Sequence, residues 1–137
     1  MTGYFLQMAL NNAWANATLH RACAGLTEAE FRAPRPGFFG SLCRTLNHIY
    51  EVDLFYMDAL RGGGLGRAVY RREDIGDPRV LAAKQAETDL ALAAFCGALS
   101  PEVLAGSRVT ARREGEVREV RDVDGGVNIH VLNIHVR

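Results

Sequence analysis

Apolar side chains recur every three or four positions over three long stretches of this chain, and each stretch predicts an amphipathic helix. In the first, from about Tyr4 to Ala24, the residues Leu6, Leu10, Ala13 and Ala17 fall on one face, widened by Met8 and Trp14. Gly25 then stands where a C-cap belongs. The sequence TEAE, Thr27 to Glu30, is a capping box that opens a short helical turn. RAPRPGFFG follows as a Pro/Gly-rich connection expected to send Phe38 and Phe39 into the core. Ser41, a good N-cap, begins the second long helix. Leu42, Leu46, Ile49, Val52, Tyr56, Ala59 and Leu60 give it the strongest periodicity in the sequence, and RGGGLG ends it. A Gly- and charge-rich connection from Arg61 to Asp77 is long enough to cross the end of a bundle. Asp77-Pro78 places an N-cap before a proline at the first helical position. The third helix, PRVLAAKQAETDLALAAFCGAL, should turn Val80, Leu81, Leu92, Phe95 and Leu99 inward.

The pattern changes after that. Ser100-Pro101-Glu102 repeats the helix-start signal for one turn, and SRVTARREGEVREVRDV alternates Val and Thr with charge around Glu114-Gly115, as a small two-stranded ribbon does. In a bundle the terminal GGVNIHVLNIHVR should begin a fourth helix. Its Val and Ile alternate with Asn and His at a period of two instead, broken only at Leu132. The elements together predict one all-α domain over residues 1–137, a four-helix bundle with a small β-ribbon before an incomplete fourth helix.

Composition narrows the function classes. An apolar share of 48% in 137 residues supplies one proper core. Sixteen basic residues balance sixteen acidic ones, which disfavours a partner held by phosphate neutralisation, so no nucleic acid is expected. No apolar run is long enough to predict a membrane span, and the N-terminus lacks the basic start of a secretory signal. Cys23, Cys43 and Cys96 show neither CxxC nor zinc-finger spacing, and read as buried free thiols in a reducing cytoplasm.

Four histidines are the candidate chemistry. His48, in TLNHIYEVD, sits at the border of the buried stripe of the second helix, where an isolated histidine is more often a satisfied core residue than a ligand. A working zinc-like site normally needs three protein ligands. His20 closes the first helix, where a cation suits the helix dipole without any metal, and reads as structural or surface. His130 and His135 lie five apart. That turns them about 140° from each other on a helix and to opposite faces of a regular strand. Glu51 and Asp53 follow His48 without a distinctive catalytic context. Cys43 could pair with an imidazole, but it too lies about 140° around the helix from His48. GGGLG, Gly62 to Gly66, neither follows a strand nor opens a P-loop, and no GxSxG elbow occurs.

The stretch NNAWANATLHRACAGLTEAEFRAPRPGFFGSLCRTLNHIYEVDLFYMDAL resembles the opening half of the DinB-like family of bacterial four-helix-bundle metalloproteins. WANA, FFGSL and TLNHI followed by Asp are its most specific parts; the third helix and the ribbon match loosely. The resemblance implies an up-up-down-down bundle, often a homodimer, in which three histidines hold a divalent transition ion, zinc or nickel. The helix-two ligand maps onto His48. Two more come from a fourth-helix pattern like HLFNHQxHHRGQ. Here HVLNIHVR matches its first four positions, Ile134 replaces the first fourth-helix ligand, His135 comes one residue late, and the chain stops at Arg137. His130 matches a position that is usually not a ligand.

Two functions follow from this resemblance. In one, His48 with His135 and His130 holds the ion, and the protein is a cytoplasmic metal-dependent thiol transferase, isomerase or hydrolase acting on a small molecule. In the other, it is a non-catalytic dimeric scaffold that has lost the complete metal site.

Overall fold

The computed structural model describes residues 2–99, 107–113 and 116–121. The described chain is predominantly helical: α1 (Thr2–Cys23), α2 (Glu28–Arg32), α3 (Leu42–Arg61), a 3-10 turn (Gly66–Arg71) and α4 (Pro78–Gly97). Strands β1 (Ser107–Arg113) and β2 (Glu116–Arg121) pair antiparallel, from Ser107 opposite Arg121 to Arg113 opposite Glu116, with an irregularity between Ala111 and Arg113. The expected fourth helix lies outside the described residues.

Local signals set the helix ends. Thr27 accepts from the Glu30 amide at 3.2 Å while the Glu30 carboxylate accepts from the Thr27 amide at 3.0 Å, a complete capping box. Ser41 accepts from the Arg44 amide at 3.0 Å, and Asp77 from the Arg79 amide at 2.9 Å. At the far end of α3, Gly62 takes a left-handed conformation with φ 69°, which a side chain would oppose. The box holds a helix of only five residues, pinned to the core by the fully buried Phe31. Thr27→Ala should therefore cost about 1 kcal/mol, read as a lowered urea midpoint with unchanged slope; an unchanged midpoint would mean that Phe31 alone holds α2.

Two apolar clusters fix the helix directions. Phe5 and Ala9 at the start of α1 pack with Met57 and Leu60 from the end of α3 and with Leu92, Ala93 and Cys96 from the end of α4. At the other pole, Cys23 from the end of α1 meets Phe31, Cys43 and Leu46, and Leu81 from the start of α4. So α1 runs against α3 and α4, and those two run in the same direction. That corrects the up-up-down-down order for the three long helices described, which run up, down, down. The physical cause is the connection over residues 62–77. A helix of twenty residues is about 30 Å long, and sixteen residues of connection can return the chain along that length.

Other expectations are corrected too. Leu10 and Trp14 are exposed, and the inward face of α1 carries Phe5, Ala9, Asn12, Asn16 and His20. Polar side chains hold that face because α4 supplies hydrogen-bond partners for the asparagines, which offset the cost of desolvating them. Val80 is exposed because Leu81, one residue on, takes the inward position. Phe38 is exposed at the loop tip, and Phe39 is only partly buried. All three cysteines are buried and free, as expected.

Candidate functional site

The helical period puts Arg44, His48 and Glu51 on one face of α3. They form one wall of an open cleft of about 540 Å³, whose other wall is Arg67, Tyr70 and Arg72 from the 3-10 turn and the residue after it. Glu51 is buried, and its carboxylate is gripped bidentately by Arg44, Nη1 to Oε1 at 3.2 Å and Nη2 to Oε2 at 2.6 Å. Arg44 also pairs with Asp74. The Glu51 hydrogen bond and the neighbouring carboxylates raise the Arg44 pKa above its already high ordinary value, so this guanidinium is a fixed charge.

His48 is held from two sides. The Phe39 ring stacks on the imidazole at 4.5 Å between centroids and 29° between planes. Its Nδ1 lies 4.0 Å from Glu51 Oε2. The FFG loop thus reaches the histidine rather than the core, contrary to the expectation for Phe39.

Asn47, beside His48, was a silent letter in the sequence and is the latch of the site. Its side chain donates to the Ile75 carbonyl at 3.0 Å and accepts from the Ile75 amide at 2.9 Å, pairing with the connection as a strand neighbour would. Arg72 Nη2 donates to the Asn47 carbonyl at 3.2 Å and to Oδ1 at 3.1 Å, and the guanidinium lies over the Tyr50 ring at 4.7 Å. One fully buried side chain therefore positions both the connection and an arginine of the cleft. Nothing but its place next to His48 could have marked it.

No group of three or more His, Cys, Asp or Glu comes together to hold a metal ion among the described residues. The cleft offers one oriented imidazole, and the Glu51 oxygens are engaged by Arg44. One corner of a three-histidine site fits these residues; the other two corners cannot come from them. His130 and His135 lie outside the described residues.

A second polar cluster went unread in the sequence. Between α1 and α4, Asp89 accepts from Asn12 Nδ2 at 3.4 Å, from Asn16 Nδ2 at 3.2 and 3.1 Å, and from Gln85 Nε2 at 2.9 Å. Gln85 Nε2 also donates to Asp53 Oδ2 at 2.6 Å, joining α3 to the seam. The signal was present as i, i+4 spacing of Asn12, Asn16 and His20, and of Gln85 and Asp89, inside faces otherwise apolar.

His20 is buried at the end of that row, and neither ring nitrogen has a hydrogen-bond partner among the described residues. Burial lowers its pKa below the ordinary 6.5. Being depressed in the folded chain, it leaves stability intact above 6.5. As pH falls below 6.5 the unfolded chain takes up the proton first, and stability drops until the folded pKa is passed. His20→Gln should flatten the fall in urea midpoint between pH 7.5 and 5.5; an equal fall in both proteins would contradict this.

None of the described helices is long and apolar enough to cross a membrane. Among known families, the model of the DinB family matches residues 1–127, a span that includes His48 and ends before His130. No curated protein and no solved structure matches the chain.

Proposed function

The chain belongs to the DinB family, and from that premise we propose that it is a divalent-metal-binding protein whose ion is held by His48 together with His135 and His130. The observation that carries this reading is the placement of His48: the family match covers it, it faces a solvent-open cleft, and Phe39 and Glu51 bracket its ring. His135 and His130 are the two remaining imidazoles of that donor set. Zinc or nickel suits an imidazole donor set. Such an ion with one open coordination position supplies Lewis acidity and lowers the pKa of a thiol or water. The chain's own residues fix the imidazole, hold the buried Glu51 charge with Arg44, and leave an opening of small-molecule size. Transfer, isomerisation or hydrolysis of a small molecule in the cytoplasm fits that arrangement.

A homodimer belongs to the same reading. Leu10 and Trp14 on α1 and Leu90 on α4 are exposed, and Leu90 shares an alanine-walled hollow with Ala13 and Ala17 across the seam. A second copy covering this face would remove it from water.

The scaffold alternative draws on two observations: the described residues assemble no metal cluster, and the family match stops short of the tail histidines. Titration separates the two. Zinc or nickel added to chelator-treated protein should saturate at one ion per chain on the proposed reading. Heat-neutral titrations with both ions would leave the scaffold.

A further inference from the structure

Three guanidiniums and one carboxylate line the cleft with His48 and Tyr70: Arg44 and Glu51 on one wall, Arg67 and Arg72 on the other. The arginines are not equally engaged. Arg44 is consumed by Glu51 and Asp74. Arg72 spends Nη2 on the oxygens of Asn47 and Nη1 on the Glu73 carbonyl, and stands 4.0 Å from Glu51. Its buried Nε–H has no acceptor among the described residues. Arg67 makes no ion pair among the described residues; its guanidinium lies 5.9 Å from the centre of the Tyr70 ring. Glu51 and Asp74 together offset two of the three guanidiniums, and Arg67 is the charge left over. The cleft therefore carries an excess of positive charge and planar N–H forks on a chain whose net charge is zero.

We propose that this cleft binds the oxyanion head of a small molecule, a carboxylate or a phosphate, between Arg67 and Arg72 beside His48. Arg67 supplies a guanidinium fork that matches either oxyanion in two-point geometry, which an ammonium does not, and Arg72 adds a fixed positive charge beside it. Arg72 is set in place by Asn47 and Tyr50 before any ligand arrives, so little order has to be created on binding. Arg67 is exposed, and its contact with the Tyr70 ring can be exchanged for one with the anion. A polymer of phosphates would want a continuous basic face, whereas these charges are gathered in one cleft of small-molecule size. The proposal shares its cleft with the proposed ion but stands on the guanidiniums, so it is tested without metal.

Calorimetric titration of chelator-treated protein with succinate, and separately with inorganic phosphate, at constant ionic strength is the experiment. Saturable one-to-one binding of either probe is expected. Arg67→Gln should weaken it at least tenfold, and Arg67→Lys, which keeps the charge but loses the fork, should weaken it comparably. Arg79→Gln, an exposed arginine outside the lining of the cleft, should leave it unchanged. Preference for succinate would make the head a carboxylate; preference for phosphate would make it a phosphoryl group. No saturable binding of either probe, or binding indifferent to both cleft variants, would overturn the proposal. So would uptake that requires added zinc and survives Arg67→Gln, since the anion would then sit on the ion. Loss of metal binding with anion binding intact would overturn the ion reading alone.

Discussion

Asp89→Ala should destabilise the protein by about 3–5 kcal/mol, a large share of the roughly 5–15 kcal/mol that holds a domain together. The carboxylate is the common acceptor for Asn12, Asn16 and Gln85, and all four side chains are buried. The amide orientations follow from it. Each NH2 must face the carboxylate, because a flipped carbonyl would set oxygen against oxygen. Truncation strips an acceptor from three buried donors at once and opens a void beside Ala13 and Ala86, residues of the hollow it adjoins. Gln85 keeps Asp53 as a partner, so the loss is less than threefold that of a single bond. Asp89→Asn should lie between, since its one carbonyl oxygen can still accept while its NH2 meets donors. Urea denaturation reads both values. A cost below about 1 kcal/mol for Asp89→Ala would mean that water replaces the carboxylate and the seam is not a packed polar layer.

The second large effect is on ion binding. A ligand at a hundredfold excess over its dissociation constant stabilises the folded chain by about 2.7 kcal/mol, and a three-imidazole site should show that gain on saturation with zinc. His48→Ala should abolish it by removing the ligand whose ring Phe39 and Glu51 hold. The same variant without metal should stay within about 0.5 kcal/mol of the parent, because His48 is half-exposed and contributes little to the core. Melting with and without zinc separates these effects. A stabilisation by zinc that survives in His48→Ala would place the ion elsewhere.

What the sequence made legible was whatever rests on local chemistry. The caps at Thr27, Ser41 and Asp77 and the stop at Gly62 depend on residues a few positions apart, and each is where its letters put it. The stripe of α3 was plain because its inward positions are mostly apolar. The faces of α1 and α4 were misread at Leu10, Trp14 and Val80 because the buried side is partly polar, and a polar residue looks inward only once its partner on the other helix is known. Asn12 and Asp89 are 77 residues apart; no window on one helix contains both. The site divides the same way. Arg44, His48 and Glu51 share a face by spacing alone. Arg67 and Arg72 reach them through a connection whose path is set by Asn47 and Ile75, and nothing local announces that pairing. Phe39 was expected in the core because it is aromatic and follows a proline-rich turn; the histidine beside it offers the flat surface it stacks on.

The central claim is that His48 anchors a divalent ion. The most direct test is the metal content of tag-free protein, measured by inductively coupled plasma mass spectrometry beside His48→Ala. One transition-metal ion per chain in the parent and none in the variant is the predicted result. A parent without metal, or a variant that carries as much as the parent, would contradict it.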